Sequence, residues 1–143
     1  MIAWVLLIII NLVILSITRE PTRLIEVKEK YRRLREHLRD TKNEKFKVLT
    51  RCIPITAMHA TRGPIGYNTN KGVDIGLCID GQNSNQIFHV LIHELAHTTV
   101  REYSHSEDFW NNFVELRQMC IDLGIYEKIS SRTRFCGQYI QDK

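Results

Sequence analysis

No two of the four cysteines, Cys52, Cys78, Cys120 and Cys136, stand at C-x-x-C spacing, which excludes a zinc ribbon and a thioredoxin-type redox motif. Internal repeats and low-complexity runs are absent as well. Proline and glycine are sparse, at three and seven in 143 residues, and 43% of the chain is apolar against 25% charged. Such a chain can bury a core, so global disorder is excluded, and its length suits one compact domain plus attachments. A strong charge of either sign is also missing, with 20 Lys and Arg against 16 Asp and Glu. Eight of the basic and five of the acidic residues fall within 19–40, a net +3, which leaves only +1 of the total +4 for the rest of the chain. The folded part therefore has no electrostatic signature for nucleic acid.

Charge is wholly missing from residues 1–17, MIAWVLLIIINLVILSI, where only Asn11 and Ser16 are polar. Seventeen helical residues span roughly 25 Å, slightly short of a hydrocarbon slab of about 30 Å, and Thr18 and Arg19 can supply the rest by snorkelling. The expectation is a single-pass anchor over residues 1–18 in a lipid membrane, one that a virion membrane would also suit. A cleaved signal peptide is the alternative, but no Lys or Arg precedes the apolar run and Ser16-Ile17-Thr18 is a poor cleavage site. The basic residues all follow the run, so the positive-inside rule predicts that the rest of the chain lies on the cytoplasmic side. Free buried thiols are the expectation there, since a Cys52–Cys78 bridge would need an oxidising compartment.

Residues 19–40 form a juxtamembrane stalk whose Leu24, Val27, Tyr31, Leu34 and Leu38 recur at spacings of three and four on a helix starting near Pro21. Two heptads are too few for a coiled coil, and packing of this seam onto its own domain is the preferred reading. The soluble domain, residues 41–143, is expected to open with a strand at 46–52, followed by an irregular stretch holding Pro54 and Pro64. A hairpin is expected next, with strands near 65–67 and 73–79 joined by Asn68-Thr69-Asn70-Lys71-Gly72. Val73, Ile75, Leu77 and Ile79 alternate with Asp74, Gly76, Cys78 and Asp80, which predicts one buried face and one open face. The period then becomes helical from Gln86 to about Arg101 or Tyr103. A second helix follows, with Ser106 as N-cap, Phe109, Phe113, Leu116, Cys120 and Leu123 as core face and Gly124 at its end. Trp110 is expected in the core as well. A short strand within 135–140 closes the chain, and the whole reads as an α+β fold.

On the first of these helices stands His93-Glu94-Leu95-Ala96-His97, an H-E-x-x-H. A spacing of four brings His93 and His97 to one face, where two imidazoles reach one metal, and Glu94 projects beside them as a base for a water. Zinc suits three protein ligands and a water, whose pKa it lowers toward about 7. The third ligand is His105, seven intervening residues beyond His97 at the helix exit, or a downstream glutamate, Glu115 or Glu107. Imidazole at an exit turn favours His105. Among the other histidines, His37 belongs to the polar stalk and His59 to a loop. His89, one turn before His93, either lines the approach or is a partly buried structural residue. Tyr103 and Arg101 are both candidates for stabilising an oxyanion.

The segment HELAHTTVREYSHSEDFW, residues 93–110, resembles the zincin metallopeptidases of the SprT-like and WLM (Wss1-like) group, and GVDIGLCID stands upstream in the expected order. The likeness covers roughly residues 46–140 and is similar to membrane-anchored members encoded by large DNA viruses. Metzincins are excluded because Val100 occupies the position where they need glycine. The resemblance implies a zincin-like minimal domain with a small antiparallel or mixed sheet, an active-site helix and a second packing helix. It also implies Zn2+ at His93, His97 and His105, Glu94 as general base and acid, and hydrolysis of an extended polypeptide lying along strand 73–79. Cellular relatives act on DNA-bound proteins; this chain differs in carrying an apolar helix and lacking a long basic tail, so nucleic acid is not an expected partner. Other membrane or capsid proteins are. The competing class is a zinc-stabilised, membrane-tethered structural protein, against which Glu94 argues, because a purely structural site prefers four protein ligands.

Overall fold

The computed structural model describes residues 1–60, 63–81 and 83–143. Helix α1 spans Ile2–Ile17 and α2 spans Thr22–Asp40. Strands β1 (Ile55–Met58), β2 (Gly66–Thr69) and β3 (Asp74–Cys78) follow, then α3 (Ser84–Thr98), α4 (Glu107–Asp122), β4 (Thr133–Phe135) and β5 (Gln138–Ile140). The result is a small α+β fold.

The main sheet has the order β1-β3-β2, with β1 parallel and β2 antiparallel to β3. Strand β1 lies in the stretch between Pro54 and Pro64 expected to be irregular. Residues 46–52, expected as a strand, instead hold one 3-10 turn at Lys47–Thr50. Its burial explains the difference: Phe46 and Leu49, three apart, point into the core while Val48 between them is exposed. The expected hairpin is present, and Asn70, Lys71 and Gly72 all take positive φ at its turn. The open face expected for β3 is covered, however. The Tyr67 ring lies on Gly76, where a Cβ would come within 2.0 Å of Tyr67 Cε1, and Cys78 is buried. Because β3 is the central strand, it has no free edge along which a peptide could add, which corrects the placement of substrate on 73–79.

Cys78 is disulfide-bonded to Cys136, and the free thiols are the exposed Cys52 and the buried Cys120. This corrects the expectation of four free cysteines. The pairing comes from β4 and β5, an antiparallel hairpin whose two-residue turn, Cys136-Gly137, has positive φ at both positions, as a type I′ turn requires. The hairpin thereby presents Cys136 to β3. One strand was expected in this region and two are present.

Leu24, Val27, Tyr31, Leu34 and Leu38 of α2 are buried in the same core as β3, α3 and α4. The seam thus packs onto its own domain, and the expected boundary at residue 40 divides residues that share one core. Helix α1 differs: none of its residues is buried. At 16 residues it measures about 24 Å, and among the described residues no single helix is long and apolar enough to cross a membrane. Only the pair α1 and α2, bent by 48°, passes on length and composition together.

Candidate metal centre

Helix α3 is capped at its N-terminus by Asn83, whose side chain accepts from Gln86 N–H. It runs beneath β2 and β3 with Ile87, Leu91 and Leu95 fully buried, so His93 and His97 share the face away from the deepest core. It ends at Thr98, earlier than expected, because Lys71 from the β2–β3 turn reaches over its end. The Lys71 Nζ donates to the His97 carbonyl at 2.9 Å and to that of Glu102, satisfying groups a helix end leaves open. The chain then turns through His105 to Ser106, which caps α4 by accepting from Phe109 N–H at 3.2 Å.

This turn carries the His105 Nε2 to 3.0 Å from that of His93 and 3.2 Å from that of His97. All three ligand atoms lie within 4.8 Å of one another. Nitrogens at 2.0–2.1 Å from a tetrahedral zinc stand about 3.4 Å apart, so the observed separations suit that ion with little adjustment. Burial and then the neighbouring imidazoles push the His93 ring down to about 3, and burial, His105 and Lys71 push His97 down to about 4. Both rings are therefore neutral at pH 7 and offer lone pairs. Phe109 touches all three imidazoles, with ring centroids 5.0, 4.4 and 4.8 Å from those of His93, His97 and His105. Phe109 is fully buried in the core, as expected, and from there backs the three imidazoles. Trp110 is 42% exposed and lies beside His105 rather than in the core.

Glu94 is buried, and burial pushes its carboxyl up to about 7. The edge strand β2 lies against it. A Cβ on Gly66 would stand 2.6 Å from Val90 Cγ1 and 3.1 Å from Glu94 Oε1. Asn68, two residues along, donates from one Nδ2 to the Glu94 carbonyl at 2.7 Å and to Thr98 Oγ1 at 2.8 Å, while its Oδ1 accepts from Gly72 N–H. Asn68 and Lys71 were read only as turn residues; their contacts with α3 span 26 or more positions and leave no local trace.

The other candidates separate clearly. Glu115 forms a salt bridge with Lys45, and Glu107 is exposed in the first turn of α4, so neither joins the cluster. Tyr103 lines the same cleft as His93, Glu94, His97 and His105, whereas Arg101 lines a different one with Asp108 and Asn112. His89 fills both roles considered for it: it lines a neighbouring cavity that His93, Glu94 and His105 also border, and its Nδ1 lies 2.9 Å from Tyr126 Oη and 3.3 Å from Asp142 Oδ1. His59 pairs with Asp80 at the surface, away from the centre.

No family model matches the chain. It is 33% identical over 85 residues to the uncharacterized protein R325 of Acanthamoeba polyphaga mimivirus, an overlap covering 53% of this chain and 43% of that protein. The chain thus spans less than half the length of this relative. Among solved structures, Wss1 from S. pombe superposes with a TM-score of 0.42 and 26% identity over 65% of this chain and 82% of that one.

Proposed function

We propose that the chain is a zinc-dependent metallopeptidase held at a membrane by α1. One observation carries the reading: three imidazole nitrogens converge within 4.8 Å, with His105 at 3.0 and 3.2 Å from the other two, beside a buried carboxylate packed against the edge strand β2. A purely structural centre has no use for the carboxylate or the edge. Zinc at His93, His97 and His105 would supply a Lewis acid and acidify a water.

The chain's own residues do the rest. Edge strand β2 takes the place first given to β3. Cys78 N–H donates to the Ile65 carbonyl, and the alternation that follows leaves the backbone groups of Gly66 and Asn68 on the unpaired side. A substrate polypeptide adds there as an antiparallel strand, its main chain bound whatever its sequence. Gly66, lacking a side chain, lets that strand approach Glu94. The Glu94 Oε1 accepts the proton of the attacking water and returns it to the leaving amine, a task suited to a carboxyl held near neutral pH. Asn68 and Lys71 fix the end of α3 and with it the angle between His97 and Glu94. The Tyr103 hydroxyl, on the cleft wall, donates to the oxyanion.

Separating base from ligand tests this. Glu94→Gln should retain zinc while hydrolysis of a casein-like substrate falls by about two to four orders of magnitude. His105→Ala should lose zinc affinity together with activity, and Glu115→Ala should lose neither. Metal analysis and proteolysis of the same preparations read both. A parent protein that binds zinc and cleaves nothing would favour the tethered structural protein instead.

A further inference from the structure

Basic charge outside α2 gathers in one short segment. Residues 128–141 hold Lys128, Arg132 and Arg134 and no acidic residue, so the +1 outside 19–40 divides into +3 here and −2 elsewhere. This segment is the β4–β5 hairpin with the run that leads into it. Its inner face is committed: Phe135 and Ile140 are buried, and Cys136 is bonded to Cys78. Arg134 and Tyr139 are cross-strand partners on the other face and both are exposed, Tyr139 at 57%. The Arg132 guanidinium lies 4.1 Å from the Tyr139 ring centroid, so the three side chains form one outward cluster. Among the described residues neither arginine is in an ion pair.

The fold sets this cluster beside the start of α2. The Phe135 ring fills the space that a Cβ on Gly81 would take, and the Gly81 carbonyl accepts from Arg23 in the first turn of α2. Arg23 and Phe135, from opposite ends of the chain, thus flank one glycine. Arg19 and the apolar α1 immediately precede, and Ile25 on the same first turn is 50% exposed. Two carboxylates near this end are already engaged: Asp80 accepts from Ala60 N–H and pairs with His59, and Glu20 pairs with Lys28. Arginine grips phosphate in a planar fork, and tyrosine sits at headgroup level with its ring inward and its hydroxyl in water.

We propose that the outer face of the β4–β5 hairpin, Arg132, Arg134 and Tyr139, docks on the headgroups of an anionic bilayer and so fixes the orientation of the domain at the membrane. The proposal rests on the reading of α1 as an anchor, with which this face is continuous, and adds a second contact that depends on charge. Charge alone does not select the face, since Arg39, Lys42 and Lys47 gather at the far end of α2, about 28 Å from its start. That end is remote from α1, and its aromatic ring, Phe46, is buried.

Photocrosslinking of the full chain tests it. A benzophenone amino acid replaces Tyr139 or, as the control for charge alone, the exposed Val48 beside Lys47. Each protein is reconstituted into nanodiscs of phosphatidylcholine with or without phosphatidylserine and irradiated, and lipid adducts are read by mass spectrometry. With phosphatidylserine, adduct at position 139 should exceed that in neutral discs, and that at position 48, by at least about five-fold. Arg132→Gln with Arg134→Gln should bring it down to the neutral-disc level. About 0.5 M salt should do the same without either substitution while the chain stays in the disc, a loss that misfolding cannot explain. Absence of adduct at 139, equal adduct at both positions, or adduct indifferent to phosphatidylserine, salt and the two substitutions overturns the proposal and leaves the anchor reading standing. A chain that does not enter neutral discs yet forms the salt-sensitive adduct at 139 with anionic ones removes the anchor and leaves the docking face. A single-stranded oligonucleotide that binds the parent in detergent and is lost with the two substitutions, where no lipid adduct forms, assigns the face to nucleic acid and overturns the proposal.

Discussion

Gly66 shows how closely one residue couples sheet and site. Its missing Cβ is the gap into which Val90 and Glu94 pack, and Val90 is a buried, β-branched side chain that cannot swing aside. Gly66→Ala should cost about 1–3 kcal/mol of stability, the usual range for overpacking. Zinc affinity should hold while hydrolysis drops, because the displaced group is Glu94 and no imidazole; melting curves, metal analysis and turnover measure the three. Asp142 governs stability from the far side of α3. Burial opposes its charge, but hydrogen bonds from His89, Tyr126 and Ile129 N–H outweigh that and hold its carboxyl well below the ordinary carboxylate range. A carboxyl depressed in the folded state stabilises fully above its unfolded value of about 3.9 and loses that contribution as pH falls below it. With zinc removed by chelator, the melting temperature of the parent should therefore fall more steeply between about pH 5 and pH 3 than that of Asp142→Asn. At pH 7 the variant should already be less stable by about 3 kcal/mol, since buried Arg117 loses its charged partner. Equal slopes would remove Asp142 from the account. What was legible at this scale is what helix periodicity encodes: His93, Glu94, His97 and a third imidazole just past the helix end. Gly66, Asn68 and Lys71 were not, because each meets the site through a contact distant in sequence.

At the scale of elements, α2 is the informative case. Its seam is legible as a helix by spacing alone, yet spacing does not say what the seam packs on. The structure buries all five seam residues, with Val27, Leu34 and Leu38 at zero exposure, and Tyr31 Oη donates to the Arg51 carbonyl. Fully burying apolar side chains of this size is worth about 1.5–3 kcal/mol each, so the seam contributes an amount comparable with the net stability of a whole domain. Residues 41–143 expressed alone should therefore be unfolded or aggregated even with zinc, whereas 19–143 should give a cooperative melt. Circular dichroism and size-exclusion chromatography distinguish them, and a folded, monomeric 41–143 would show that α2 is an appendage. Periodicity likewise marked α3 and α4, and Ser106 and Gly124 marked the ends of α4. The exit of α3 was overextended because Lys71 caps it from another element. Short elements were harder. Phe46 and Leu49 read as strand residues although their spacing of three suits a 3-10 turn, and Ile55–Met58 was hidden between two prolines because a four-residue parallel strand shows no alternation without its partner. The alternation in β3 correctly located the strand but mispredicted its second face, where Tyr67 and the Cys78–Cys136 bridge supply cover from elsewhere in the chain.

For the whole molecule, the proposed membrane attachment rests on α1. Sixteen consecutive residues with no buried member and no charge form an apolar surface far beyond the few hundred Å² that soluble proteins usually leave in contiguous patches. Helix α2 cannot extend that surface into a bilayer, because its apolar seam is committed to the core and its outer face carries Lys28, Glu29, Arg32 and Glu36, three of them joined in ion pairs around Arg32. In the proposed attachment α1 is therefore the element that would meet lipid. At about 24 Å it would need a bilayer locally thinned or one into which Thr18 and Arg19 reach from the interface. The basic residues that follow would lie at the headgroups, each adding about 1 kcal/mol of attraction to an anionic surface. Two signals acting together lead to a specific expectation from flotation of purified protein with phosphatidylcholine vesicles, with and without phosphatidylserine. The full chain should float with both and resist extraction by high salt, since burial of α1 is apolar. Residues 19–143 should stay at the bottom with neutral vesicles and float partly with anionic ones, an association that about 0.5 M salt should abolish as the Debye length shrinks well below 10 Å. Salt-sensitive flotation of the full chain on neutral vesicles, or flotation of 19–143 that resists salt, would assign the membrane contact to a surface other than α1.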